Sequence, residues 1–163
     1  MSIFKYFIFW LLLLVVSPYK ISAQINIKDT LIHNFIEIFC QDLSIKKINE
    51  TSCKNDILDF LEIRKPDTLK YFLYESDYIY LKKQAINPYS SIFKQKYLKK
   101  IKVKKGSILS PCITLLSIPL FTQDLKTAII KYQSCGLSRV YLYHRQNLNS
   151  RWILVCKLWQ NGS

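Results

Sequence analysis

The chain is poor in glycine and histidine, and each shortage excludes a class of function. Its three glycines are Gly106, Gly136 and Gly162, so neither a phosphate-binding glycine-rich loop nor a nucleophile elbow is present. The two histidines, His33 and His144, fit no H-x-x-x-H or H-E-x-x-H spacing, and no two cysteines have C-x-x-C spacing. We therefore expect no metal site and no cofactor, and we assign no catalytic residues.

The sequence has only one long apolar run, and it lies near the N-terminus. Residues 7–16 are all apolar, Lys5 precedes them, Pro18 follows, and Ser22-Ala23 supply small residues suited to signal cleavage. A helix of that length rises about 15 Å, which is too short for a bilayer core of about 30 Å. We predict a signal peptide at residues 1–23, with an uncleaved membrane anchor as the alternative. The mature chain, secreted or periplasmic, would then have no integral membrane span.

The residues after the signal, 24–163, are enough for a single domain with a substantial core. In residues 126–133 and 139–145, successive side chains alternate between two faces with the period of two that is typical of strands, and turn residues lie between the two stretches. Residues 152–159 are apolar on both faces apart from Lys157, which indicates a central strand or one covered on both sides. The apolar residues 108–120 add edge or bulged strands, because prolines interrupt them. We predict an antiparallel meander of four to five strands.

Helical periodicity is strongest over residues 29–42, where Asp29 is suited to cap the helix. The apolar stripe consists of Leu31, Phe35, Ile38 and Phe39. His33 lies off this stripe and is therefore predicted to be a solvated histidine.

Two more helices are predicted downstream. Asn55 is suited to cap one that passes Leu61 and stops at Pro66, and another is expected over Asp77–Gln84. Residues 44–50 read as a short strand or an extended link. The predicted class is α+β, with a helical part at about 27–98 packed on a sheet part at about 100–160.

The stretch with the strongest excess of positive charge is residues 91–105. It contains seven lysines and no acidic residue, in a chain of net charge +13. The lysines are Lys94, Lys96, Lys99, Lys100, Lys102, Lys104 and Lys105. Residues 100–104 alternate strictly, which predicts an edge strand with a lysine face that discourages pairing with other chains. The alternative is a polyanion site, in which the lysines neutralise phosphates or sulfates. Base-specific readout is not indicated, because the arginines all lie elsewhere.

All five cysteines lie beyond the predicted signal, in a chain expected to reach a compartment where disulfides persist. The first candidate disulfide is Cys40–Cys53, and the second is Cys135–Cys156. Cys112 would then stay free or pair between chains. A different hypothesis makes Cys135 a thiol nucleophile with His144 as its base.

The C-terminal half contains an ordered series of short motifs: Ser117-Ile118-Pro119-Leu120-Phe121, Asp124, Lys126, Ala128-Ile129-Ile130, Cys135-Gly136, Tyr141-Leu142-Tyr143 and Arg151-Trp152. This order resembles that of a group of short exported bacterial proteins with no assigned activity. The resemblance implies an exported α+β domain and no substrate. A second Cys-Gly, which the resemblance leads one to expect, is replaced here by Leu137-Ser138-Arg139, so Cys135 needs another partner.

These observations favour a non-catalytic binding or envelope-associated module whose partner is unknown. The alternative is a module that binds an anionic surface or polymer, namely anionic polysaccharide, lipid headgroups or nucleic acid, through the lysines of residues 94–105. A thiol enzyme using Cys135 and His144 is the third hypothesis.

Overall fold

The computed structural model describes residues 29–59, 67–86, 92–106 and 112–162. The predicted signal at 1–23 lies outside these residues, as do Leu61, Pro66 and residues 107–111. None of the described helices is long and apolar enough to cross a bilayer.

The described residues form two α-helices, two short 3₁₀ helices and seven strands. The α-helices are α1 (Asp29–Asp42) and α2 (Glu75–Ile86), and the 3₁₀ helices are Asp67–Tyr71 and Gln95–Tyr97. The strands are β1 (Lys47–Asn49), β2 (Lys102–Lys104), β3 (Leu115–Leu116), β4 (Leu120–Phe121), β5 (Thr127–Ser134), β6 (Leu137–His144) and β7 (Ile153–Gly162). Residues 57–59 are also helical.

The main sheet has five antiparallel strands, in which β3 and β4 pair with one side of β5, and β6 and β7 follow on the other. This confirms the predicted α+β class and the sheet of four to five strands. The turn from β5 to β6 is tight because Cys135 (φ 50°) and Gly136 (φ 77°) both take left-handed backbone, as a two-residue hairpin turn of this kind requires. Strands β1 and β2 form a separate, parallel pair.

Both faces of the main sheet are buried, which explains the unbroken apolar runs Ala128-Ile129-Ile130 in β5 and Val140-Tyr141-Leu142-Tyr143 in β6. Ala128 and Ile130 point to the side covered by α1, together with Tyr141 and Tyr143 of β6. Ile129 points to the other side, where residues of the 57–58 segment, the first 3₁₀ helix and α2 cover it. The helices therefore pack on both sides of the sheet.

Helix α1 is attached to the sheet by an aromatic cluster centred on Phe35, which is fully buried. The Phe35 ring meets the rings of Phe121, Tyr143 and Trp152 edge-on, with centroid distances of 5.6, 5.4 and 5.2 Å. Edge-to-face contacts of this kind add roughly 0.5–1.5 kcal/mol per pair to the burial of the rings. The buried apolar face of α1 consists of Ile32, Phe35, Ile36, Phe39 and Cys40. The predicted stripe is therefore right at Phe35 and Phe39, whereas Leu31 and Ile38 lie at the edge of this face and are only partly buried.

Strand β7 departs from the prediction of a central or doubly covered strand. Among the described strands it pairs only with β6, and Ile153 and Leu154 are 62% and 37% exposed. Its register against β6 shifts twice, so Val155 and Leu158 are extra residues that pack with the α2 side of the core. Because of these bulges, apolar residues occupy both odd- and even-numbered positions of this edge strand. The same pattern is typical of a central strand.

The aromatic cluster predicts a large effect of truncating Phe35. Phe35→Ala should lower the free energy of unfolding by about 3–5 kcal/mol, because it removes buried ring surface and leaves a cavity among three aromatic rings. Urea denaturation followed by tryptophan fluorescence measures this change. Ile79→Ala, on the exposed side of α2, is the control and should change stability by less than about 0.5 kcal/mol. Equal effects of the two substitutions would contradict the packing described here.

Candidate anion-binding site

The lysine-rich segment is fixed to the core by the apolar residues that alternate with its lysines. Phe93, Leu98 and Ile101 are between 1% and 3% exposed and belong to the core cluster under α1. Their spacing fits neither a regular helix nor a strand, and the backbone between them makes one short 3₁₀ turn. The intervening lysines are consequently left at the surface.

Helix α1 also holds this segment through polar contacts. The Glu37 carboxylate accepts hydrogen bonds from the backbone N–H groups of Lys99 and Lys100, the latter at 3.0 Å. The Nε2 atom of His33 accepts from the N–H of Lys94 at 3.3 Å, so Nδ1 is the nitrogen that donates to the Asp29 carbonyl, at 2.7 Å. One flank of α1 thus binds the backbone of the segment at Lys94 and again at Lys99 and Lys100.

The prediction that His33 is solvated is wrong, since the residue is only 4% exposed. The lysine segment lies against the flank of α1 that the apolar stripe leaves free, and it covers the ring. The ring centroid of Tyr97 lies 4.8 Å from that of His33.

The side chain of Gln95 stabilises the segment through hydrogen bonds to its backbone. Its amide nitrogen donates to the carbonyls of Leu98 (2.7 Å) and Ile101 (3.0 Å), and its amide oxygen accepts from the N–H of Val103 at 2.8 Å. These three bonds fold the chain around a cavity of about 510 Å³. We name this cavity the lysine cleft; its lining residues are Gln95, Lys99, Lys100, Ile101, Lys102, Val103 and Lys104.

Strand pairing places two more lysines, Lys46 and Lys47, next to Lys102, which lines the cleft. The parallel register of β1 and β2 sets Lys47 opposite Lys102, and the Lys102 N–H donates to the carbonyl of Lys46 at 3.0 Å. Lys46, Lys47 and Lys102 are all exposed. The sequence contains no signal for this pairing, because β1 is only three residues long and lies far from β2 in the chain.

The seven predicted lysines do not all contribute to the cleft. Lys99, Lys100, Lys102 and Lys104 line it. Lys94 instead forms an ion pair with Asp29 at 3.6 Å, Lys96 lies over the Tyr97 ring at 4.7 Å, and Lys105 follows β2 outside the lining. Within the described ranges, no acidic side chain forms an ion pair with any of the four cleft lysines or with Lys46 or Lys47.

The disulfide in the structure joins Cys112 to Cys135, with the two Cα atoms 4.3 Å apart. The predicted Cys135–Cys156 pair is therefore wrong. Cys156 lies opposite Leu142 in the middle of β6, whereas Cys135 is in the turn before β6 begins.

The predicted Cys40–Cys53 disulfide is also absent, and both of these cysteines are free. Cys40 points into the core with Phe39, on the α1 side of the sheet. Cys53 lies near the ion pair of Lys131 and Asp56, whose charges act on its thiol. Lys131 is on the α2 side of the sheet, because it faces Val140 across the β5–β6 ladder. The two thiols thus point to different sides of the core.

The structure does not bring Cys135 and His144 together. Cys135 precedes β6, and His144 is the last residue of that strand, where it faces Thr127. An eight-residue strand is roughly 25 Å long, so the two side chains lie at opposite ends of the sheet. Since Cys135 is also in the disulfide, the proposed nucleophile and base cannot act as a pair.

The free thiols are held in their protonated form. Burial raises the pKa of Cys40 to about 12, with a further contribution from Glu37. Burial also raises the pKa of Cys53 to about 11; the Asp56 carboxylate adds to this and the Lys131 ammonium opposes it. Because the thiolate is the reactive form, neither cysteine is activated for nucleophilic chemistry.

We expect these two cysteines to resist alkylation in the native protein. At pH 8, iodoacetamide should modify Cys40 at least about 100-fold more slowly in buffer than in concentrated urea, because few molecules carry a thiolate and the sulfur is covered. Peptide mass spectrometry over a time course gives the rate at each cysteine. Native labelling of Cys40 at the urea rate would contradict its placement in the core.

The chain matches no protein-family model, no curated protein and no solved structure. The resemblance to short exported bacterial proteins therefore stays a prediction.

Proposed function

We propose that this protein is an exported, non-catalytic binding module that holds an anionic polymer or surface at the lysine cleft. The observation that carries the proposal is the pairing of Lys47 with Lys102 in neighbouring strands. Like charges placed opposite one another on adjacent strands repel, and within the described residues no acidic side chain forms an ion pair with either of these lysines. A polyanion bound across β1 and β2 removes this repulsion.

The chemistry of lysine favours a repeated anion over a single shaped ligand. An ammonium group acts as a compact point charge, whereas bidentate recognition of one phosphate or carboxylate uses the planar group of arginine. The lining contains no arginine. We infer that the cleft recognises the charge density of a sulfated, phosphorylated or carboxylated chain, and that its affinity falls steeply as salt is added.

Export is supported by two observations. Cys112 and Cys135, joined in the disulfide, are both exposed, and such bonds persist in oxidising compartments outside the cytosol. The N-terminal residues also carry the signal pattern described above. Once the predicted signal is removed with Lys5 and Lys20, the net charge of the chain falls from +13 to +11. Anionic polysaccharide and lipid headgroups outside the cytosol are the partners we propose for such a basic protein.

The proposal predicts that removing the cleft charges weakens binding beyond what net charge explains. The quadruple change of Lys99, Lys100, Lys102 and Lys104 to Gln should weaken binding to a heparin oligosaccharide by about 100-fold or more at 50 mM salt. Its slope of log affinity against log salt should fall by about three to four. Titration calorimetry over a salt series measures both quantities.

The matched control removes the same charge from other exposed positions. Lys54, Lys70, Lys83 and Lys157, each changed to Gln, lose four positive charges without touching the cleft. This variant should keep most of the wild-type affinity. If both quadruple variants lose affinity equally, binding follows net charge alone and the proposed site is wrong.

A further inference from the structure

A second cavity, of about 520 Å³, lies where the turn before α2 meets the ends of β5 and β6. Its size is within the range of ligand pockets, about 300–1,000 Å³. The lining includes Tyr71 and Tyr74, the carboxylates of Asp77 and Asp124, and the imidazole of His144. None of these residues belongs to the lysine cleft.

Two tyrosine side chains that line this cavity are largely exposed to solvent. Tyr71 is 83% exposed and Tyr74 is 76% exposed. An aromatic ring gains much from burial, so two such rings three residues apart on the lining of a cavity mark a contact surface. No ring of the described residues stacks on either tyrosine.

The imidazole of His144 is oriented by the protein. The Thr127 hydroxyl donates to the Phe72 carbonyl at 3.3 Å, so its oxygen accepts from Nδ1–H of His144 at 3.1 Å. The His144 ring also packs near the Phe72 ring, with centroids 5.2 Å apart. No hydrogen bond within the described part of the chain uses Nε2, which is left to meet a ligand.

Each of the two carboxylates has one oxygen committed to the protein and one without a partner in the described residues. Oδ1 of Asp124 accepts from the Thr122 hydroxyl at 2.6 Å and from the Lys126 N–H at 3.0 Å. Oδ2 of Asp77 accepts from the N–H of Tyr74 at 2.9 Å. Such bonds fix the direction of each carboxylate and leave Oδ2 of Asp124 and Oδ1 of Asp77 as acceptors.

The Asp124 carboxylate is kept ionised. Burial raises its pKa, but the hydrogen bonds from Thr122 and Lys126 and the charges of Lys126 and His144 act in the opposite direction and prevail. Its pKa is therefore below the ordinary value, and the group is an acceptor at neutral pH.

We infer that this cavity binds a neutral oligosaccharide, with Tyr71 and Tyr74 stacking on sugar rings and with Asp77, Asp124 and His144 hydrogen-bonding to hydroxyls. Sugar rings present C–H faces that pack on aromatic rings and pairs of hydroxyls that both donate and accept. The amides of Gln123 and Gln146 in the lining match such pairs. One ammonium, from Lys126, faces two carboxylates, so the lining does not attract a polyanion. The inference is independent of the lysine cleft.

The test is a titration of the full chain with four probes: chitotriose, cellotriose, maltotriose and mannotriose. Nitrogen–proton correlation spectra should show at least one probe shifting the amide signals of Tyr71, Tyr74, Gln123 and His144, with a dissociation constant on the order of 1 mM. Tyr71→Ala and Tyr74→Ala should each weaken that binding at least about tenfold. Tyr71→Phe keeps the ring face and should bind within about threefold of the wild type.

Ile79→Ala is the control, because Ile79 is 60% exposed on α2, which begins directly after Tyr74, and does not line the cavity. It should bind as the wild type does. The inference is overturned if none of the four probes shifts these signals at about 20 mM, a concentration well above the expected dissociation constant. It is also overturned if the tyrosine variants bind as well as the control.

Discussion

The packing of Phe35 against Tyr143 and Trp152 is the contact on which the rest of the structure depends. It fixes helix α1 on one face of the sheet, and the same helix holds the lysine segment along its other flank. His33 and Glu37, on that flank, bind the backbone of residues 94–100. The aromatic contact therefore determines both the hydrophobic core and the arrangement of the lysine cleft. A change in the rotation of α1 about its axis would move both together.

Much of the fold could be predicted because its signals are local. The apolar positions of α1 recur along a single element, and β5 and β6 are each eight residues long and largely coincide with the predicted strands at residues 126–133 and 139–145. A helix was also expected over Asp77–Gln84, and α2 includes that range. The prediction for β7 was wrong because its sequence pattern fits two kinds of strand. The two bulges of β7 disturb its alternation, so an edge strand carries the pattern of a buried one.

The rest could not be predicted because it depends on contacts between distant parts of the chain. The partner of Cys135 is 23 residues away. Three strands, β3, β4 and β5, lie between the two cysteines, and β3 and β4 are only two residues long. Likewise, the pairing of Lys47 with Lys102 needs two three-residue strands to meet in parallel. Four cleft lysines were recognised from composition, but nothing in their own sequence indicates that Lys46 and Lys47 join them. The second cavity, lined by Tyr71 and Tyr74, was missed for the same reason, since the ends of β5 and β6 and the turn before α2 form it together.

The most direct test of the account is whether α1 holds the lysine segment. Amide hydrogen exchange, followed residue by residue, should show the N–H groups of Lys99 and Lys100 protected in the wild type and exchanging at least about tenfold faster in Glu37→Ala. The amides of β5 and β6 should keep their protection in both proteins, which shows that the core is intact. Unchanged exchange at Lys99 and Lys100 in the variant would contradict the account.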